Sequence, residues 1–117
     1  MVDAVEELRA APAFTALSDE ELQRLADAAT EAEYPAGHVL IEYDTPGAGL
    51  YLILEGRVAI HAPEGDRECG PREVVGERAL ASGAPRSARV TAITPVRCLC
   101  VAREHVSPEV AEQLSGT

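Results

Sequence analysis

Proline and glycine return along the middle of this chain at intervals too short for a helix. They mark breaks at Pro35-Ala36-Gly37, Asp44 to Gly49, Glu55-Gly56, Pro63 to Asp66, Gly70-Pro71, Gly83-Ala84-Pro85 and Pro95. The runs between them, His38–Tyr43, Leu50–Leu54, Arg57–His61, Ser87–Thr94 and Val96–Ala102, read as strands. Glu55-Gly56 carries a two-residue hairpin signal between the second and third of these, and the last two are expected to pair around Pro95. Many short strands at regular turn spacing predict a mainly β domain with flanking helices, an antiparallel jelly-roll or double-stranded β-helix. Helical period appears only outside this region. Residues 3–10 carry apolar positions at Val5 and Leu8. Ser18 with Glu21 forms a capping box ahead of a helix over 19–31, with Leu17, Leu22, Leu25 and Ala29 on one face. A short helix is expected over 103–114. The expectation is one domain, 1–117: N-terminal helices over 1–33, the β jelly-roll over 34–102 and a short C-terminal helix within 103–117.

Composition narrows the function. Twenty acidic residues face ten basic ones, all arginine, for a net charge of −10. Such a surface repels a phosphate backbone, so no nucleic-acid partner is expected. A small anion remains compatible, because charges beyond about 8 Å are screened and a local pocket dominates. With 46% hydrophobic residues but one Phe and no Trp, the core must be aliphatic. No apolar run is long enough to span a bilayer and no signal peptide is read, so the expected location is cytoplasmic. Three cysteines argue against a disulfide framework; Cys98 and Cys100 alternate along one strand face as buried thiols. Absent lysine and abundant alanine suggest a GC-rich bacterial gene.

The chemistry concentrates in residues 75–90, Val-Gly-Glu-Arg-Ala-Leu-Ala-Ser-Gly-Ala-Pro-Arg-Ser-Ala-Arg-Val. The pattern predicts a turn at Gly76, one helical turn over Glu77 to Ala81, a break, and a strand. A first helical turn leaves amides free to meet an anion. Arg86 offers a guanidinium fork for phosphate oxygens. Glu77 repels phosphate but accepts hydrogen bonds from hydroxyls. Together they suit a ligand with both a phosphate and a sugar hydroxyl, a nucleotide. Arg89, three positions after Arg86, is expected on the opposite strand face, in solvent.

Gly-Glu-x-Ala-Leu followed by Pro-Arg-Ser-Ala resembles the phosphate-binding cassette of the cyclic nucleotide-binding domain family. Gly47-x-x-x-Tyr51-x-Ile53-x-x-Gly56-x-Val58 resembles its second and third strands. The resemblance implies the jelly-roll fold and a regulatory role without catalysis or a cofactor. It implies that Arg86 binds the cyclic phosphate with Gly76 and the backbone amides of Ala79 and Ser87, and that Glu77 accepts the ribose hydroxyl. Leu80 is implied as the relay to the C-terminal helix, in a module whose terminal helices move when ligand binds. Val74, Val75 and Arg67 are candidates for the base, and the ligand is cAMP or cGMP, with cAMP favoured. Partners would be an effector protein or a second copy of the chain. Ala48 departs from the family, where an aspartate orients the phosphate arginine; either Asp44 or Glu42 substitutes, or Arg86 is less preorganised and affinity is weaker.

Two other readings are weighed. A degenerate scaffold of the same fold has no need of a carboxylate and an arginine facing one pocket. A cupin-like metalloenzyme would use His38, His61, His105 and Glu77, but the paired histidines of such sites are missing, and no metal is expected.

Overall fold

The computed structural model describes residues 3–42, 49–63, 65–75, 88–107 and 110. Helix α1 (Ala4–Ala10) starts at Asp3, whose side chain accepts the Glu6 amide. A 3₁₀ turn over Pro12–Phe14 leads to α2 (Asp19–Ala28). The capping box at the head of α2 is complete: the Glu21 amide donates to Ser18 Oγ at 3.1 Å and the Ser18 amide donates to Glu21 Oε1 at 2.9 Å. Leu17, Leu22 and Leu25 are buried, as their spacing predicts.

Eight strands follow among the described residues: β1 (Thr30–Tyr34), β2 (Val39–Ile41), β3 (Gly49–Glu55), β4 (Val58–Ala62), β5 (Gly65–Cys69), β6 (Val74–Val75), β7 (Arg89–Ala92) and β8 (Val96–Ala102). They form two four-stranded sheets, one ordered β1-β8-β3-β6 and the other β2-β7-β4-β5. Every pairing is antiparallel. The jelly-roll expectation holds in class, and β8 has the expected bounds.

Three local expectations are corrected. The second helix stops at Ala28, and Thr30–Tyr34 is strand β1 rather than the helix end. Its alternation is short and charged, with Glu31 and Glu33 exposed, so the pattern did not stand out behind a run of helix-forming alanines. Glu55-Gly56 does not close a hairpin, since β3 and β4 belong to different sheets. Nor do β7 and β8 pair around Pro95, for the same reason. Both segments are corners where the chain crosses the sandwich, and they stack on each other. The Arg57 amide donates to Thr94 Oγ1 at 3.0 Å, and the Ile93 amide to the Arg57 carbonyl at 2.9 Å. Gly56 sits at φ +92°, where a Cβ would strike the Pro95 carbonyl oxygen, so glycine is required there. Among the described residues, β4 and β5 form a hairpin, with Ala62 opposite Gly65.

Two apolar layers result. Between the sheets lie Ile41, Ile53, Val58, Ile60, Cys69, Val75, Val90, Ala92, Val96 and Cys98. On the other face of the β3–β8 pair, Leu50, Leu52, Leu99 and Val101 pack against Leu8, Phe14, Leu22 and Leu25 of the helices. After β8 a 3₁₀ turn spans Arg103–His105, and the Val110 amide donates to Ser107 Oγ at 3.2 Å. Val110 is helical and buried in the helical layer, so the chain beyond β8 returns to the N-terminal helices.

Candidate functional site

The cassette residues Gly76, Glu77, Ala79, Leu80, Arg86 and Ser87, together with Asp44 and Ala48, lie outside the described residues. The structure defines the two stems that carry the cassette. On one side is β6, an edge strand of the first sheet: Val75 lies opposite Tyr51 and Val74 opposite Leu52. Backbone bonds fix its approach, from the Arg72 amide to the Ile53 carbonyl at 2.8 Å and from the Ile53 amide to the Glu73 carbonyl at 3.0 Å. Before it, the turn at Pro71-Arg72 places Arg72 at φ +71°, and the Gly70 amide donates to Glu73 Oε2 at 2.5 Å. On the other side is β7, in the second sheet between β2 and β4. Residues 76–88 therefore connect one sheet to the other.

The candidates within the described residues separate clearly. Val75 is buried between the sheets, while Val74 packs on the helical layer, so the two valines face different layers. Arg67 is exposed on β5, opposite Ile60. Ile60 faces the sandwich interior, so Arg67 ends an inner-face row formed with Ile60 and Val90. Arg89 faces outward as expected, and its Nε donates to Glu42 Oε1 at 2.7 Å. The three histidines lie apart: His38 stacks on Tyr34 at 4.7 Å between ring centroids, His61 approaches Asp66 at 3.3 Å, and His105 approaches Glu104 at 3.9 Å. Among the described residues, no three His, Cys, Asp or Glu side chains form a group that could hold a metal.

Behind the β6 stem runs a row the sequence reading did not assemble: Thr30, Cys100, Tyr51 and Val75, directly opposite one another across β1, β8, β3 and β6. The Tyr51 hydroxyl donates to the Leu40 carbonyl at 3.4 Å, bridging the two sheets. The Cys100 sulfur lies 3.8 Å from that of Cys98, and Tyr34 packs against the same layer. Burial, then the neighbouring Cys100, push the Tyr34 phenol up to about 12. Register alone could have revealed this row, because its members are far apart in sequence.

The fold and the stems agree with one family. The model of the cyclic nucleotide-binding domain matches residues 31–112, which span both sheets and the cassette. The chain belongs to the cyclic nucleotide-binding domain family. Among its relatives is a cyclic nucleotide-gated potassium channel of Rhizobium etli, 35% identical over 114 residues, covering 92% of this chain and 32% of the channel. Another is the CRP-like cAMP-activated global transcriptional regulator of Mycobacterium tuberculosis, 33% identical over 94 residues, covering 70% of this chain and 42% of the regulator. A solved relative is the regulatory subunit of a cAMP-independent protein kinase A from Trypanosoma cruzi bound to guanosine. It shows 26% identity and a TM-score of 0.83 over 94% of this chain and 41% of that one. The cyclic nucleotide-binding domain thus spans well under half the length of these relatives. No helix among the described residues is long and apolar enough to cross a membrane.

Proposed function

We propose that this cyclic nucleotide-binding domain takes cAMP in the cassette of residues 75–90 and passes the event to its terminal helices without catalysing a reaction. The observation that carries this reading is the pair of stems. The segment holding Gly76-Glu77 and Arg86-Ser87 starts from a fixed edge of one sheet and enters the middle of the other. In this reading Arg86 holds the cyclic phosphate with Gly76 and the amides of Ala79 and Ser87, and Glu77 accepts the ribose hydroxyl. Val75, Val74 and Arg67 are the residues nearest to a role at the base. Leu80 relays closure of the cassette toward the leucine layer, where Val110 already sits. Ligand then shifts the population of helix positions. The recipient is an effector segment or partner chain, or a second copy of the domain, and the working compartment is the cytoplasm.

Calorimetric titration with cAMP, cGMP and guanosine tests the proposal. The expected result is binding of cAMP ahead of cGMP, with Arg86→Ala losing about 3–5 kcal/mol and Glu77→Ala also weakened. A chain that binds neither cyclic nucleotide is the degenerate scaffold. A chain that binds guanosine equally well with or without Arg86 has a nucleoside site, of the kind named for the trypanosome relative.

A further inference from the structure

Cys98 is fully buried and Cys100 half-buried on the inner face of the first sheet, within hydrogen-bond reach of each other. The two sulfurs lie 3.8 Å apart. The hydrogen bond to Cys100, together with burial, holds Cys98 as a thiol well above the ordinary range, while the contact with Cys98 outweighs burial and brings Cys100 below it. Cys100 further lines a cavity of about 300 Å³ with Thr30, Gly49, Tyr51, Ala102 and His105. The third cysteine, Cys69, is buried on β5. A thiol reacts as its thiolate and must be reached by the reagent. Of the three, Cys100 alone is partly exposed and lines a cavity, and its thiol is the one held below the ordinary range.

We propose that Cys100 is a reversible covalent modification site that accepts a small thiol from a low-molecular-weight disulfide, with Cys98 as a positioning residue. The Cys100 thiolate attacks one sulfur of the disulfide. The Cys100–sulfur bond forms as the original S–S bond breaks, and the second sulfur leaves as a thiolate. Cys98 keeps its proton throughout, and excess free thiol reverses the exchange. The adduct occupies the cavity beside Tyr51, whose other neighbour across the sheet is Val75, the last residue before Gly76. Resting on the cyclic nucleotide reading, this position makes the adduct weaken nucleotide binding.

The test treats the reduced chain with oxidised glutathione, and separately with a chromogenic aromatic disulfide, followed by peptide mapping. One fast equivalent should appear at Cys100, vanish in Cys100→Ser, and persist unchanged in Cys69→Ser. Cys98→Ala should slow it several-fold, with circular dichroism confirming that each variant is folded. Fast labelling of Cys69 or Cys98, reaction of all three only at the rate of unfolding, or an unchanged rate in Cys98→Ala would overturn the proposal. Calorimetry on the glutathione adduct should show weaker nucleotide binding, restored by reduction; equal affinity before and after refutes the link to the cassette. If reduced chain binds no nucleotide, the function above has failed, while the labelling pattern still decides the chemistry at Cys100.

Discussion

The two faces of the β3–β8 pair differ in kind. Toward the helices they present Leu50, Leu52, Leu99 and Val101, and the layer built on them is hydrocarbon throughout. Toward the second sheet they present Ile53 and Cys98, then Tyr51 and Cys100, with Tyr34 packed against the same layer. An aliphatic contact can slide or repack without orphaning a polar atom, whereas a buried hydrogen bond holds one geometry or is lost at a cost of about 1–3 kcal/mol. The helical layer is therefore the face suited to movement, and the sandwich interior is the fixed frame that holds the cassette stems. One strand pair serves both purposes because its side chains alternate.

The comparison can be broken in several places. Phe14→Ala empties the centre of the helical layer and should cost about 3–5 kcal/mol in urea unfolding, with the alkaline behaviour of the frame retained. Gly56→Ala strikes the stacked corners of the frame. It should cost more than the roughly 1–2 kcal/mol of left-handed backbone alone, because the new Cβ also meets the Pro95 carbonyl; a smaller loss means that the corners can part.

Titration sharpens the contrast. The folded Tyr34 phenol ionises at about 12 against an ordinary value of 10.0, so folding favours its neutral form. That contribution is whole below pH 10 and disappears as pH rises through about 12. Cys98, also raised, acts in the same direction, while Cys100, lowered, acts oppositely at lower pH. Denaturant midpoints should fall between about pH 9 and 12, and Tyr34→Phe should flatten the fall; an unchanged slope would remove Tyr34 from the buried cluster. The smallest effect belongs to Arg89→Ala. Its ion pair with Glu42 is half exposed, and exposed pairs contribute about 0–1 kcal/mol. Nucleotide affinity should stay within twofold or so, in contrast to Arg86→Ala.

What could be read before folding follows from range. Ser18 with Glu21, the Leu22–Leu25 face and the bounds of β8 depend on neighbours a few residues away, and all were legible. Alternation in a strand states which residues share a face, but not which strand lies beside it. Glu55-Gly56 therefore looked like a hairpin, although the chain changes sheets there. Thr30–Tyr34 was missed because its partner, β8, is remote. The cassette motif was legible for the same local reason, whereas the row from Thr30 through Cys100 and Tyr51 to Val75 exists only once the register is set.

That register also dictates an order of events during synthesis. Strand β1 lies against β8, with Thr30 opposite Cys100 and Tyr34 opposite Val96. At roughly 5–20 residues per second, β1 leaves the ribosome several seconds before its partner has been made. Strand β3 waits in the same way, for Leu52 is opposite Leu99. Until β8 arrives, the first sheet lacks its centre and the leucines of α2 have no floor to rest on. The first sheet thus closes last, after every strand of the second has been made, and a helper that shields unpaired strand edges would act in that interval.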